Sequence, residues 1–310
     1  MDFFKERKTI DFMAKRKIGL LVSLLLVIIA LGAIATRGLN LGIDFTGGTL
    51  VEVSYKQSAD LQEVRAALTS GGFERAVVQH FGTSQDVLIR LAPSESVAAD
   101  ISNKVLRALN DGGHEVELRR IEFVGPQVGK ELTEDGGLAI LAALFGILIY
   151  VYFRFEIRFS VGAVLALLHD VIITVGLFSI FQWEFDLTVL AAILAVIGYS
   201  LNDTIVVYDR IRETFRKMRK GSSIEIINQS VTQTLSRTIM TSGTTCLVVI
   251  SLFLFGGEAI HGFSLALLIG IVVGTYSSIF IASSLIIVMG VSKADLMQVE
   301  KEGAEVDSTP

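Results

Sequence analysis

Six apolar runs, at residues 18–36, 137–153, 159–181, 187–208, 238–256 and 262–290, set the terms on which this chain can fold. A helix needs roughly 20 such residues, rising 1.5 Å each, to cross a hydrocarbon core of about 30 Å. The last run is overlong and is expected to tilt or to extend past the core. A bilayer offers no water to a free backbone N–H or C=O, so a chain of this pattern is restricted to a helical bundle. Hydrophobic residues make up 51% of the 310, and only three are proline, far from the composition of a soluble domain. Residues 37–136, between the first two runs, have ordinary soluble character, which places one folded domain inside a membrane scaffold.

The first run also resembles a signal peptide, since "KERKTIDFMAKRK" precedes it and "AIAT" supplies small residues at Ala33 and Ala35. Its length favours a retained anchor. Lys and Arg set orientation: six fall in the tail 1–17, two in "RFEIR" and seven in 209–237, while "QWEFD" and "GGEAIH" have none. All the basic loops share one side if both tails, 1–17 and 291–310, are cytoplasmic and residues 37–136 lie outside. Spans two to six then occupy 137–290, with a cytoplasmic loop at 209–237. Within that loop "SSIEIINQSVTQTLS" opens with the capping box Ser222 and Glu225. Ile224, Ile227, Val231 and Leu235 share one face, which predicts an amphipathic helix lying on the membrane surface beside anionic lipid.

In the soluble region "TLVEVSYK" reads as a strand, "SADLQEVRAALTSGG" as a helix, and "RAVVQHF" and "DVLIRLA" as paired strands. "SVAADISNKVLRALNDGG" reads as a second helix and "HEVELRRIEFV" as a last strand. The order βαββαβ predicts a ferredoxin-like α+β sandwich, with the glycine pairs 71/72 and 112/113 ending its helices. From Gly38 to Gly137 there are nine Lys and Arg against fifteen Asp and Glu, which argues against nucleic acid as a partner. His80 and His114 have no second ligand at metal spacing, and Cys246, the one cysteine, can form no intrachain disulfide. "LGIDFTGGTL" lacks a phosphate-binding pattern and reads as a tight connection, in which small residues let backbone pack against the spans. No G-x-S-x-G or H-E-x-x-H occurs, and no facing pair of membrane carboxylates marks an intramembrane protease, so no enzyme activity is expected.

Charges inside the spans need a reason to be there, because one carboxylate near the bilayer centre costs roughly 2.5 to 3.5 kcal/mol on insertion scales. Asp203 is expected about 7 to 8 Å inside the cytoplasmic end of span four, with Arg237 opening span five at a similar depth, so that the two could pair. Ser200 and Asn202 flank Asp203, and Thr241, Thr244 and Thr245 continue a polar stripe from Arg237, which together could line a hydrated path. His169 and Asp170 fall mid-span in the third run and read either as relay groups or as a local polar patch. Interhelical glue is the plainer account, but Ser or Thr would supply it at lower desolvation cost. A proton or ion relay centred on Asp203 is therefore the favoured reading. "GIVVG", Gly270–Gly274, matches a close-packing pattern.

"LGIDFTGGT", "RIEFVGPQVG", "LHDVIIT", "VIGYSLNDTIVVYDRIRE" and "TQTLSRTIMTSGTT" together resemble the SecF branch of the SecD/SecF family of bacterial protein-export membrane proteins, from roughly Asp11 to Val291. The resemblance implies an RND-related, six-span subunit of the inner membrane that pairs with SecD and associates with the SecYEG channel, often with YajC. It implies use of the proton-motive force, without a further cofactor, to draw preproteins outward after SecA has driven them in. It places the family's functional aspartate on Asp203 and its arginine on Arg237, and gives weight to Gly42, Asp44, Phe45, Gly47 and Gly48. SecD would supply a matching membrane aspartate, and the chain reads as a SecF unit alone rather than a fusion. A passive scaffold between SecD and the channel is one alternative. An independent RND-type exporter is another, disfavoured because such exporters carry two large external domains.

Overall fold

A computed structural model describes residues 9–93, 98–111, 116–218 and 221–291 of the chain. Six helices among them are long and apolar enough to cross a membrane, as the six runs require. They are α1 (Arg16–Arg37), α5 (Pro126–Arg154), α6 (Ile157–Phe181), α7 (Leu187–Lys217), α8 (Ser223–Phe255) and a composite last span. That span is α9 (His261–Ser277), a π-helical turn at Ser278–Ala282 and α10 (Ser283–Val288). α6, α7 and α9 form the buried centre, whereas α1, α5 and α8 present apolar faces such as Leu21, Leu141 and Leu247 outward.

Several helices outrun their apolar segments. α5 begins at Pro126, whose missing N–H and fixed φ suit a first helical position. α7 and α8 continue past the apolar limit as a helical hairpin. This corrects the expected surface helix in 209–237: "SSIEIINQSVTQTLS" is the first half of α8, and its apolar face is buried in protein rather than lipid. Ile226, Ile227 and Val231 pack with Ile211, Phe215 and Met13, while the Ser222–Glu225 capping box closes the end as expected. The segment before α1 is tied to the same hairpin, with Met13 N donating to Asn228 Oδ1 at 2.9 Å and Ile10 N to Thr232 Oγ1 at 3.1 Å.

The soluble region contains β2 (Gly48–Tyr55), α3 (Leu61–Ser70), β3 (Val77–Phe81), β4 (Thr83–Leu91), α4 (Ala98–Asp111) and β5 (Val116–Val124). The sheet order is β3-β4-β2-β5 with every neighbouring pair antiparallel, the arrangement of a split βαβ sandwich. Alternation follows the pleat: Val51, Val53, Val87 and Ile89 face α3 and α4, with Val64, Leu68, Val105 and Leu109 completing the core. After α3 the left-handed residue is Gly72, at φ +89°, while Gly71 is needed for packing, since a Cβ there would lie 2.4 Å from Ala108 Cβ. Gly112, Gly113 and His114 lie outside the described residues. A two-residue parallel pair, β1 (Asn40–Leu41) with β6 (Glu184–Phe185), was not legible in the sequence.

Close helix approach rests on small residues. A Cβ at Gly270 would meet Val196 at 2.1 Å, so the G-x-x-x-G pattern does bring α9 against α7. A Cβ at Gly176 would lie 2.2 Å from Ala30 Cβ, which holds α1 against α6. Gly176→Leu is expected to force α1 away and to destabilise the bundle by about 1–3 kcal/mol. Gly198→Ala, which meets nothing within 4 Å, should be tolerated; unfolding of both variants in detergent checks the contrast.

Candidate functional site

Two apolar cores fill the bundle, one around Phe159, Tyr208 and Phe215 and the other around Phe178, Val189 and Ile193. Polar side chains lie among the central helices. Asp170, on α6 and 0% exposed, accepts from Ser200 Oγ of α7 at 2.5 Å and from Ser277 Oγ of α9 at 2.8 Å, both on Oδ2. Its Oδ1 lies 2.9 Å from His169 Nδ1. Asp170 thus joins three helices, and Gly274 permits it: a Cβ there would sit 3.0 Å from Ser200 Cβ.

Asp203 lies close to the midpoint of α7 and is 7% exposed. Its Oδ1 accepts from Thr238 Oγ1 of α8 at 2.7 Å, while Oδ2 is buried without a partner among the described residues. The next residue, Thr204, shares a 2.9 Å hydrogen bond with Ser278 at the start of the π-helical turn. Ser242 and Thr275 join α8 to α9 in the same way at 2.7 Å.

The polar constellation expected from sequence is therefore rearranged. Asp203 is not near the end of its helix, because α7 runs on to Lys217. Its bonded partner is Thr238, and among the described residues no ion pair joins it to Arg237, which is exposed although its charge is near enough to act on the carboxyl. Ser200 serves Asp170 rather than Asp203, and Asn202 is exposed. Thr241, Thr244 and Thr245 donate to carbonyls of their own helix, and the first two are exposed, so this stripe lines no internal path. The hydroxyls of Thr204, Thr238, Ser277 and Ser278 went unnoticed in the sequence. Their signal was weak, because a Ser or Thr in a span usually bonds back to its own helix.

The segment around Asp44 forms the joint between bundle and domain. Gly42 N donates to Phe185 O at 2.9 Å, and a single helical turn, α2 (Ile43–Thr46), then brings Asp44 Oδ2 within 3.0 Å of Leu187 N. A carboxylate at the first turn of α7 is favoured by the helix dipole and satisfies an otherwise open N–H. Phe45 is buried against Phe185, with ring centroids 5.9 Å apart. Gly47 and Gly48 take φ of +70° and +131°, and a Cβ would lie 2.9 Å from Pro126 Cα at the first and 2.5 Å from Leu91 O at the second. The tight-connection reading of these glycines accounts for both.

Arg90 of β4 reaches down from the domain, pairing with Glu184 at 2.5 Å and donating to Leu41 O at 3.2 Å. Beside it, a cleft of about 470 Å³ separates the open face of the sheet from the helix ends, with Leu88, Glu122, Trp183, Asp186 and Glu258 in its walls. Burial pushes the Glu184 carboxyl above its ordinary range; Arg90 draws it down by less, and Asp186 and Asp44 push it further up.

Fold and site together define an integral membrane protein with one α+β domain inserted after its first span. The family model for the C-terminal region of the protein export membrane proteins SecD/SecF matches residues 104–292, and that for the SecD/SecF GG motif matches residues 32–59. A protein translocase subunit SecF from Vibrio alginolyticus is 56% identical over 99% of this chain and 98% of its own length. Its counterpart from Pseudomonas aeruginosa is 51% identical over 97% of this chain and 98% of its own. The crystal structure of SecDF, a translocon-associated membrane protein from Thermus thermophilus, overlays with a TM-score of 0.83 at 37% identity. It covers 91% of this chain, which spans only 39% of that one. The chain belongs to the SecD/SecF family of protein export membrane proteins.

A carboxyl whose value is raised on folding contributes stability fully below its unfolded value of about 4.5, and that contribution is lost as pH rises through the folded value. Hydrogen-exchange protection around Glu184 is therefore expected to fall as pH rises from about 4.5, and Glu184→Gln to flatten that response. Gly48→Ala should loosen the joint itself, lowering protection of β2 and the start of α5 together at any pH.

Proposed function

We propose that the chain works as the SecF subunit of the Sec protein translocase, in a bacterial inner membrane with both termini cytoplasmic and the α+β domain in the periplasm. Together with SecD it uses the proton-motive force to promote movement and release of preproteins on the periplasmic side. Family membership and the near full-length similarity to SecF subunits support the translocase role. The SecDF relative, of which this chain spans less than half, supports SecD as the partner that completes the assembly. SecYEG and YajC would be neighbours, and SecA would act on the same preprotein from the cytoplasmic side. No cofactor is proposed beyond the proton gradient.

The observation that carries the energy coupling is Asp203 Oδ2, a buried acceptor with no donor among the described residues. A carboxyl in that position can take up a proton there without breaking its bond from Thr238. When it is ionised, the free oxygen is the natural target for the Arg237 guanidinium, which sits one residue before Thr238 on an exposed face. A proton arriving would release arginine, and a proton leaving would draw it back, so two arrangements of α7 and α8 alternate. One charge crossing 100 mV supplies about 2.3 kcal/mol, enough to bias such an equilibrium roughly fiftyfold. The Asp44 contact with the first turn of α7 and the Arg90–Glu184 pair then link helix movement to the domain.

Export kinetics with and without a proton gradient test this reading. Asp203→Asn is expected to reduce gradient-stimulated export to the level seen without a gradient while assembly with SecD persists. Full stimulation in that variant would instead establish a passive scaffold. Arg237→Ala should be nearly as damaging, and a mild effect would remove the switching partner.

A further inference from the structure

The buried pair at the middle of α6 has a chemistry that scaffolding alone does not require. Asp170 is fully buried and meets hydroxyls from two other helices, which Asn could also bind. His169 is 7% exposed, its Nδ1 is taken up by Asp170, and its Nε2 is buried with no partner among the described residues. A carboxylate beside a neutral imidazole would leave a net negative charge in the middle of the bundle. The pair has room for one additional proton, as a carboxylic acid or as an imidazolium–carboxylate, and the partnerless His169 Nε2 is open to carry it.

We propose that His169 and Asp170 form a second proton-holding site beside Asp203, with the hydroxyls of Ser200, Ser277, Ser278 and Thr204 in the space between the two carboxyls. This deepens the proton-coupled role argued for Asp203 and rests on it. Ser200 and Asp203 are three residues apart on α7 and so lie on one face, which brings the bonded shell of one carboxyl beside the other. Thr204 follows Asp203 and bonds Ser278, while Ser277 bonds Asp170, so the hydroxyl pair beside Asp203 and the serine that meets Asp170 occupy neighbouring positions of α9 and the turn after it. His169 Nε2 is the atom at which a proton can enter or leave the pair without displacing an existing hydrogen bond.

Ser277 is the point where the proton state becomes geometry. Its single hydroxyl hydrogen has two acceptors in reach, Asp170 Oδ2 at 2.8 Å and Gly274 O at 3.1 Å. An ionised Asp170 holds it; a neutral one competes less well, and the hydroxyl turns back to its own helix. The π-helical turn begins at the next residue, where helix winding is already altered, and such turns are frequent at working sites.

The ionisable groups around the pair are few. α7 contributes Asp203 and Tyr199, whose buried hydroxyl has no partner among the described residues, and α9 contributes Tyr276, which lies 6.4 Å from the His169 ring and donates to Gly19 O. α1 has no ionisable side chain between Lys17 and Arg37, and α5 has none between Asp135 and Tyr150. Among the described residues, Asp203 is thus the carboxyl through which the pair would be coupled to the gradient.

The test is the pH profile of gradient-stimulated export in proteoliposomes holding the complete SecD–SecF–channel assembly. His169→Asn keeps an amide donor at the Nδ1 position that meets Asp170 but cannot carry a proton. It is expected to lower gradient-stimulated export severalfold and to move the profile by about one pH unit, the displacement that loss of one neighbouring charge produces. Asp170→Asn, which keeps the size and can still meet both serines, should move the profile as well. Profiles that superimpose on that of the unmodified protein, whatever the rate, would assign the pair a purely structural role and overturn the proposal. Retained stimulation in Asp203→Asn would count against the relay as a whole, whereas loss there with unmoved profiles in the α6 variants would remove only the second site.

Discussion

The bundle depends on one carboxyl group placed where three helices cross. Asp170 is held by hydroxyls from α7 and α9, so the central helices are fixed to each other by directional bonds as well as by packing. In a bilayer, apolar side chains gain little by leaving lipid for protein, and shape fit and hydrogen bonds must supply the specificity. Gly270 and Gly274 provide the fit, letting α9 approach α7 closely enough for Ser277 to reach across. Remove either contribution and the other loses its geometry.

Asp203 and Asp170 divide the work of a polar interior in different ways. Asp170 has donors on both oxygens and the open position of its pair is His169 Nε2, whereas Asp203 has one bonded oxygen and one open. The open oxygen is costly in a buried setting, which is why the proposed proton uptake is placed there. The cost is tolerable because the surrounding helices are held together by the bonds that Asp170 makes to α7 and α9.

Much of this architecture was legible in the sequence because its determinants are local. Six apolar runs gave six spans, and alternation with glycine punctuation gave the split sandwich in its order. Asp203 stood out as a charge within an apolar run. What escaped depended on which way a helix faces. Arg237 lies one residue from Thr238, yet it is Thr238 that makes the contact with Asp203 while Arg237 is exposed. The amphipathic pattern of residues 222–236 was read correctly as a helix with one apolar face. Periodicity could not say that Ile211 and Phe215 of α7 cover that face in place of lipid. Ser277 and Ser278 gave no signal at all, since their importance comes from partners on other helices, far away in sequence.

The two crossings between domain and bundle touch each other, with Gly47 against Pro126. Arg90 adds a tie of its own from β4 to Glu184 and Leu41, so the domain is held at the joint and again beside it, and a tilt about the joint would have to open that pair. The β3–β4 turn, where Gly82 comes close to Glu258, is a further point of support on the outer end of the bundle, so movement of the α8–α9 connection would be passed to the sheet there as well.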